Sequence, residues 1–154
     1  MIVVRKASVA VSLLLFVLFC FASPTYAGES AEYVGMEMEA STVEIDPFWS
    51  HTTLITANLT FNNSGRATIS GSVVGNSGTS HIIGNAVLDR VNPNGSLTRI
   101  ASFNNIRAEG NVWLFSRPHY VARGHNYRVT ITSTVFRNGA TETLSLSSGV
   151  AFAP

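Results

Sequence analysis

From His51 onward apolar and polar residues alternate at a period of two, and in two places the alternation can be checked against itself. A predicted strand from His51 to Asn62 carries Ile55, Ala57, Leu59 and Phe61 on one face and Leu54, Thr56, Asn58 and Thr60 on the other. Asn63-Ser64-Gly65 follows, then a second strand from Arg66 to Val74. A three-residue hairpin loop places a left-handed residue last, where Gly65 stands. That loop sets Phe61 opposite Ala67, Leu59 opposite Ile69, Ala57 opposite Gly71 and Ile55 opposite Val73, all apolar or small. The other face pairs Thr60 with Thr68, Asn58 with Ser70 and Thr56 with Ser72, all polar. A slip of one residue would mix both faces, so the pattern selects this register.

The last hairpin answers the same test. Tyr127 to Phe136 reads as a strand, Asn138-Gly139 as a tight turn, and Ala140 to Ser148 as the return. Ile131 then faces Leu146 and Ser133 faces Leu144, while Thr130, Thr132 and Thr134 face Ser147, Ser145 and Thr143. Between the hairpins, His81 to Arg90 carries Ile82, Ala86 and Leu88; Asn92-Pro93-Asn94-Gly95 turns the chain; Leu97 to Phe103 returns; and Asn111 to Ser116 holds Val112 and Leu114. About seven short antiparallel strands result, two pairs of which need a second apolar layer. The predicted fold class is all-β: an immunoglobulin- or fibronectin-III-like β-sandwich, with a small closed barrel as the alternative. Gly124-His-Asn-Tyr127, entering a strand after a turn, marks Tyr127 for the tyrosine corner of such sandwiches.

The N-terminus reads differently. Arg5-Lys6, an apolar run from Ala7 to Phe21 and Ala22-Ser-Pro-Thr-Tyr-Ala27 are the three parts of a secretory signal peptide, predicted over 1–27 with cleavage after Ala27. Cys20, flanked by Phe19 and Phe21, leaves with it. The exported chain of about 125 residues is long enough for a core of its own, and it must form one without disulfides. Residues 28–48 make an acidic leader, in which the alternation of Val34, Met36, Met38 and Ala40 suits an edge strand and the composition suits a flexible tail equally. Residues 49–154 form the β-sandwich domain, mildly basic through eight arginines from Arg66 to Arg137 against Asp89, Glu109 and Glu142. The arginines stand singly and form no stripe, which favours an ordinary solvated surface over a site for an anionic partner such as a cell-wall polymer, nucleic acid or acidic glycan, and no nucleic-acid partner is expected. No later segment is apolar enough for membrane insertion, and the expected location is extracellular.

Several marks recur in a fixed order: Trp49; Phe61-Asn-Asn-Ser-Gly65-Arg-Ala-Thr-Ile-Ser-Gly-Ser-Val73; Val87-Leu-Asp-Arg90 with its Asn-Pro-Asn-Gly turn; Gly124-His-Asn-Tyr127-Arg-Val; and Asn138-Gly-Ala-Thr-Glu142-Thr. Together, over Trp49 to Ser148, they resemble a family of short secreted proteins of Gram-positive Firmicutes grouped as a domain of unknown function. Where that family often has Trp after the central turn, this chain has Leu97. The resemblance implies export and a compact β domain; it implies no activity and no site residues.

Composition excludes much chemistry. Lys6 and Cys20 are the sole lysine and cysteine, both in the predicted signal, and glutamine is absent. A Lys–Asn isopeptide bond, a Cys–Gln thioester, a lysine Schiff base and a cysteine metal or redox site are therefore unavailable to the exported chain. His51, His81, His119 and His125 lack metal-ligand spacing, no Gly-x-Ser-x-Gly elbow joins a strand to a helix, and Glu142 beside a hairpin tip reads as a solvated turn charge. No enzyme activity, metal or cofactor is expected.

Binding is the remaining class. If Val112 and Leu114 face the core, Trp113 and Phe115 are exposed and form an aromatic face for a sugar ring or a protein, extended by Tyr120, Arg117 and Arg123. In the opposite phase Trp113 faces the core, as tryptophan usually does. The Thr130-x-Thr132-x-Thr134 ladder reads as strand propensity on a wet face. The expected function is a secreted, non-catalytic binding or structural module contacting a cell-surface, glycan or protein partner. A secreted effector, such as an inhibitor or a bacteriocin-like toxin, is the alternative.

Overall fold

The structure, a computed structural model, describes residues 38–154. The predicted signal peptide and the leader residues 28–37 lie outside the described residues. Nine strands follow in order: β1 Met38–Glu44, β2 Thr52–Phe61, β3 Arg66–Gly75, β4 Thr79–Val91, β5 Leu97–Glu109, β6 Val112–Tyr120, β7 His125–Arg137, β8 Ala140–Ser147 and β9 Ala151–Ala153. One sheet has the order β1-β2-β3-β6, the other β5-β4-β7-β8 with β9 beside the start of β7, and every pairing is antiparallel.

Both hairpin registers are those the alternation selects. Ile55 pairs with Val73, Leu59 with Ile69 and Phe61 with Ala67; Ile131 pairs with Leu146 and Thr134 with Thr143. Gly65 takes φ 75° at the end of the first loop, and Asn138 and Gly139 take φ 50° and 79° in the second, the two positive values a tight hairpin turn demands. The Asn62 side chain secures the first turn, its Oδ1 accepting from the backbone N–H groups of Ser64 and Arg66 at 3.1 and 3.0 Å.

The strand count exceeds the expected seven. The leader contributes β1, which extends the first sheet along β2, and the C-terminus contributes β9, whose Ala151 and Ala153 are buried against the start of β7. β5 and β6 also run further than expected. β5 continues because Asn105, at φ 57°, absorbs a register shift opposite Asn85, whose Oδ1 accepts its N–H at 2.8 Å.

The inward faces of both sheets supply one core. Ile55, Leu59, Phe61, Ile69 and Val73 meet Ile82, Leu88, Tyr127, Val129, Ile131 and Val135, all fully buried. Tyr127 packs its ring 5.6 Å from that of Phe61, and its hydroxyl donates to the Ala122 carbonyl at 2.7 Å, tying the β6–β7 connection to the start of β7. Tyr127→Phe removes that bond, and with it the tie from the buried ring to the exposed Ala122 of the β6–β7 connection. The expected cost is about 1 kcal/mol in urea unfolding at an unchanged slope.

Candidate functional site

The β6 side chains occupy the phase opposite to the exposed aromatic face. Trp113 is 0% and Phe115 5% exposed, whereas Leu114 is 72% exposed and Val112 is exposed as well. The cause lies across the core. Gly84 of β4 has no side chain, and the indole of Trp113 fills the space a Cβ there would need. Trp113 Nε1 donates to the Ile106 carbonyl at 2.8 Å, so the buried ring keeps its one polar group satisfied. Phe115 stacks beside it at 5.8 Å, and the rim residue Phe103 closes the cluster at 5.3 Å from Phe115. Trp113 and Phe115 are therefore core residues, and neither offers a ring face to a ligand.

The other three candidate residues separate. Tyr120 is 70% exposed at the end of β6, opposite Arg66. Arg123 bends back on the chain end, its Nε donating to the Pro154 carbonyl, and its aliphatic stem lies beside Gly65. That contact ties the β6–β7 connection to the residue after β9. Arg117 sits at the open edge of the first sheet; its guanidinium lies 5.9 Å from the Phe115 ring centroid, and Nη1 donates to the Ser116 carbonyl at 3.0 Å. The five residues thus form no common cluster.

The outer face of the first sheet instead bears a shallow trough of about 470 Å³. Register explains its shape. Thr56 pairs with Ser72 and Ser72 with Leu114; Asn58 pairs with Ser70 and Ser70 with Ser116. Short hydroxyl and amide side chains on β2 and β3 make the floor, Leu114 of β6 rises at its side, and Arg117 borders it from the open edge of the sheet. The floor is ordered by its own bonds. Thr56 Oγ1 and Ser72 Oγ lie 2.8 Å apart, the Ser72 N–H donates to Thr56 Oγ1 at 2.9 Å, and the Ser41 hydroxyl of β1 donates to Asn58 Oδ1 at 2.5 Å. The alternation places these floor residues on a wet face; only the pairing across to β6 makes them one side of a concavity.

The outer face of the second sheet is flatter in its chemistry. Thr130, Thr132 and Thr134 bond across to Ser147, Ser145 and Thr143 at 2.8, 3.0 and 2.9 Å, so the hydroxyl ladder largely satisfies itself.

Two polar features elsewhere were invisible in the sequence. Glu142 is no solvated turn charge: Oε1 accepts from the Ser50 N–H at 2.9 Å and the Ser50 hydroxyl at 3.1 Å, and Oε2 accepts from the His51 N–H at 3.1 Å. On the same segment, the Ser50 carbonyl accepts from Arg137 Nη1 at 3.1 Å and Asn76 Nδ2 at 3.0 Å. His81, by contrast, stacks on Phe136 at 4.1 Å and meets the Ser80 hydroxyl through Nδ1 at 3.0 Å. Among the described residues, no three His, Cys, Asp or Glu side chains gather as a metal site would require.

No known family model, no curated protein and no solved structure matches this chain.

Proposed function

We propose that this protein is a secreted, non-catalytic binding module built on an immunoglobulin- or fibronectin-III-like sandwich, with the outer trough of the first sheet as its contact surface. The strand order supports the fold assignment. With β1 set aside, β2-β3-β6 facing β5-β4-β7-β8 corresponds to A-B-E facing C′-C-F-G. Tyr127, bonded to a carbonyl five residues upstream at the entry to β7, then matches the tyrosine corner at the start of strand F. The resemblance to secreted Firmicutes proteins is consistent with export and a compact β domain.

The observation that carries the binding reading is the trough itself. A sheet face whose only task is solvation needs no concavity, and it has no use for Leu114 at 72% exposure on the wall of one. A volume of about 470 Å³ is within the ordinary range for small-ligand sites.

Ser70→Tyr tests the assignment. The new ring would stand in the trough floor, on the solvent side of β3, without entering the core. On a panel of surface glycans and proteins, the variant is expected to lose the wild type's binding while its thermal midpoint stays within a few degrees. A variant that binds like wild type would place the contact surface elsewhere.

A further inference from the structure

The trough has an uneven hydrogen-bond inventory. Ser41 occupies the Asn58 carbonyl oxygen and leaves the amide NH₂ as donor. The Thr56–Ser72 pair holds two hydroxyl hydrogens, of which their mutual bond consumes one; the Ser72 N–H already draws on Thr56 Oγ1 as acceptor. Whichever hydroxyl donates, the other is left with a hydrogen to offer. The Ser70 and Ser116 hydroxyls add two more groups, and Arg117 adds a charged donor whose position is set by Phe115 and the Ser116 carbonyl. No carboxylate lines the trough. The complement of such a surface is rich in acceptors and carries negative charge.

Resting on the binding reading above, we propose that the trough takes an acidic saccharide unit, a sugar bearing a carboxylate. The carboxylate pairs with the Arg117 guanidinium, whose fork fits it through two N–H groups. The sugar hydroxyls lie over Asn58, Ser70 and Ser116, and a C–H face of the ring lies against Leu114.

The alternative anionic partner, an acidic peptide, would need backbone hydrogen bonds at the free edge of β6, and that edge is poorly suited to give them. The Gly75 N–H donates to Asn111 and the Val121 N–H to Gly65, which fixes the hydrogen-bonding parity of β3 and β6. By that parity, the N–H positions of Leu114, Ser116 and residue 118 point to the free edge. Residue 118 is proline and has no N–H, and Arg117 covers the Ser116 carbonyl. The ladder an added strand would need is thus interrupted at Ser116 and residue 118, one of the ways in which edge strands are protected from pairing. The side-chain floor remains open.

The test is a titration of the isotope-labelled protein, followed by amide chemical shifts. The probes are trigalacturonate, its methyl ester, neutral galactotriose and a tetraglutamate peptide. Trigalacturonate is expected to move the signals of Asn58, Ser70, Ser72 and Ser116. Methyl esterification and Arg117→Ala are each expected to weaken binding about tenfold or more, as loss of a charge-assisted pair does. Equal binding of acid and ester at the trough would overturn the carboxylate requirement and leave the trough as a binding surface. Shifts along β6 with tetraglutamate and none with trigalacturonate would overturn the saccharide in favour of a peptide. Trough signals that no probe moves would overturn this inference, and retained panel binding by Ser70→Tyr would separately remove the trough reading beneath it.

Discussion

Gly84→Ala is expected to destabilise the protein by about 3 kcal/mol or more, far above the usual effect of adding one methyl group. A Cβ at this position would lie 2.7 Å from Trp113 Nε1 and closer still to two ring carbons. The indole is fully buried and has no outward route, because Phe115 stacks on one side and the bond to Ile106 holds its nitrogen. Relief would therefore shift the β4 backbone or break the Nε1 bond, adding about 1 kcal/mol or more to the steric cost. The thermal midpoint should fall by roughly 10–15 °C. The cause can be isolated with Trp113→Leu, which is itself destabilising but removes the ring. In that background Gly84→Ala should cost less than half as much, an interaction visible as strong non-additivity in urea unfolding. Additive effects would mean that Gly84 matters for some reason other than seating the indole.

The same contact explains what the sequence could and could not disclose. The hairpins were legible because each strand is apolar on one face and hydroxyl-bearing on the other; only one register keeps both faces uniform. Val112-Trp-Leu-Phe115 offers no such contrast. Both faces are apolar, so periodicity alone cannot choose the phase. The deciding information is a glycine on a different sheet, at a position whose partner depends on how the sheets pack. A buried Gly84 flanked by Ile83 and Asn85 gives no local sign that it accommodates a tryptophan. The trough was hidden for a related reason. Thr56, Asn58, Ser70 and Ser72 each look like ordinary wet-face residues, and their concavity appears only when β6 pairs with β3 across the intervening β4 and β5. Edge strands β1 and β9 were hard to see because each borrows most of its stability from a long neighbour. Three residues of β9 suffice beside β7, although they would carry no strand signal alone.

Loss of the Glu142 carboxylate is the second large effect expected. This side chain joins the segment entering β2 to the β7–β8 hairpin through bonds spanning about ninety residues, and it was opaque for that reason: its partners are mainly backbone N–H groups, which every residue possesses. Burial pushes the carboxyl pKa up, but the bonds from Ser50 and His51 outweigh it and hold the group below its ordinary 4.5. The buried Thr52 hydroxyl lies close enough to favour the anion, without completing a bond of its own. Glu142→Ala should cost about 2 kcal/mol at neutral pH, a value limited by the partial exposure of the site. Glu142→Gln preserves shape and one acceptor and should cost about half of that. A carboxyl lowered in the folded state favours folding fully above its unfolded value, and that contribution fades as pH falls through the folded value. The stability gap between wild type and Glu142→Gln should therefore be level from pH 7 to about 5.5 and shrink steadily below 4.5. The measurement is urea unfolding of both proteins across that range, followed by Trp49 and Trp113 fluorescence. A gap that stays constant down to pH 3 would show that Glu142 acts through packing alone. One that widens on acidification would reverse the sign of its charge contribution and exclude the carboxylate as the clasp on Ser50 and His51.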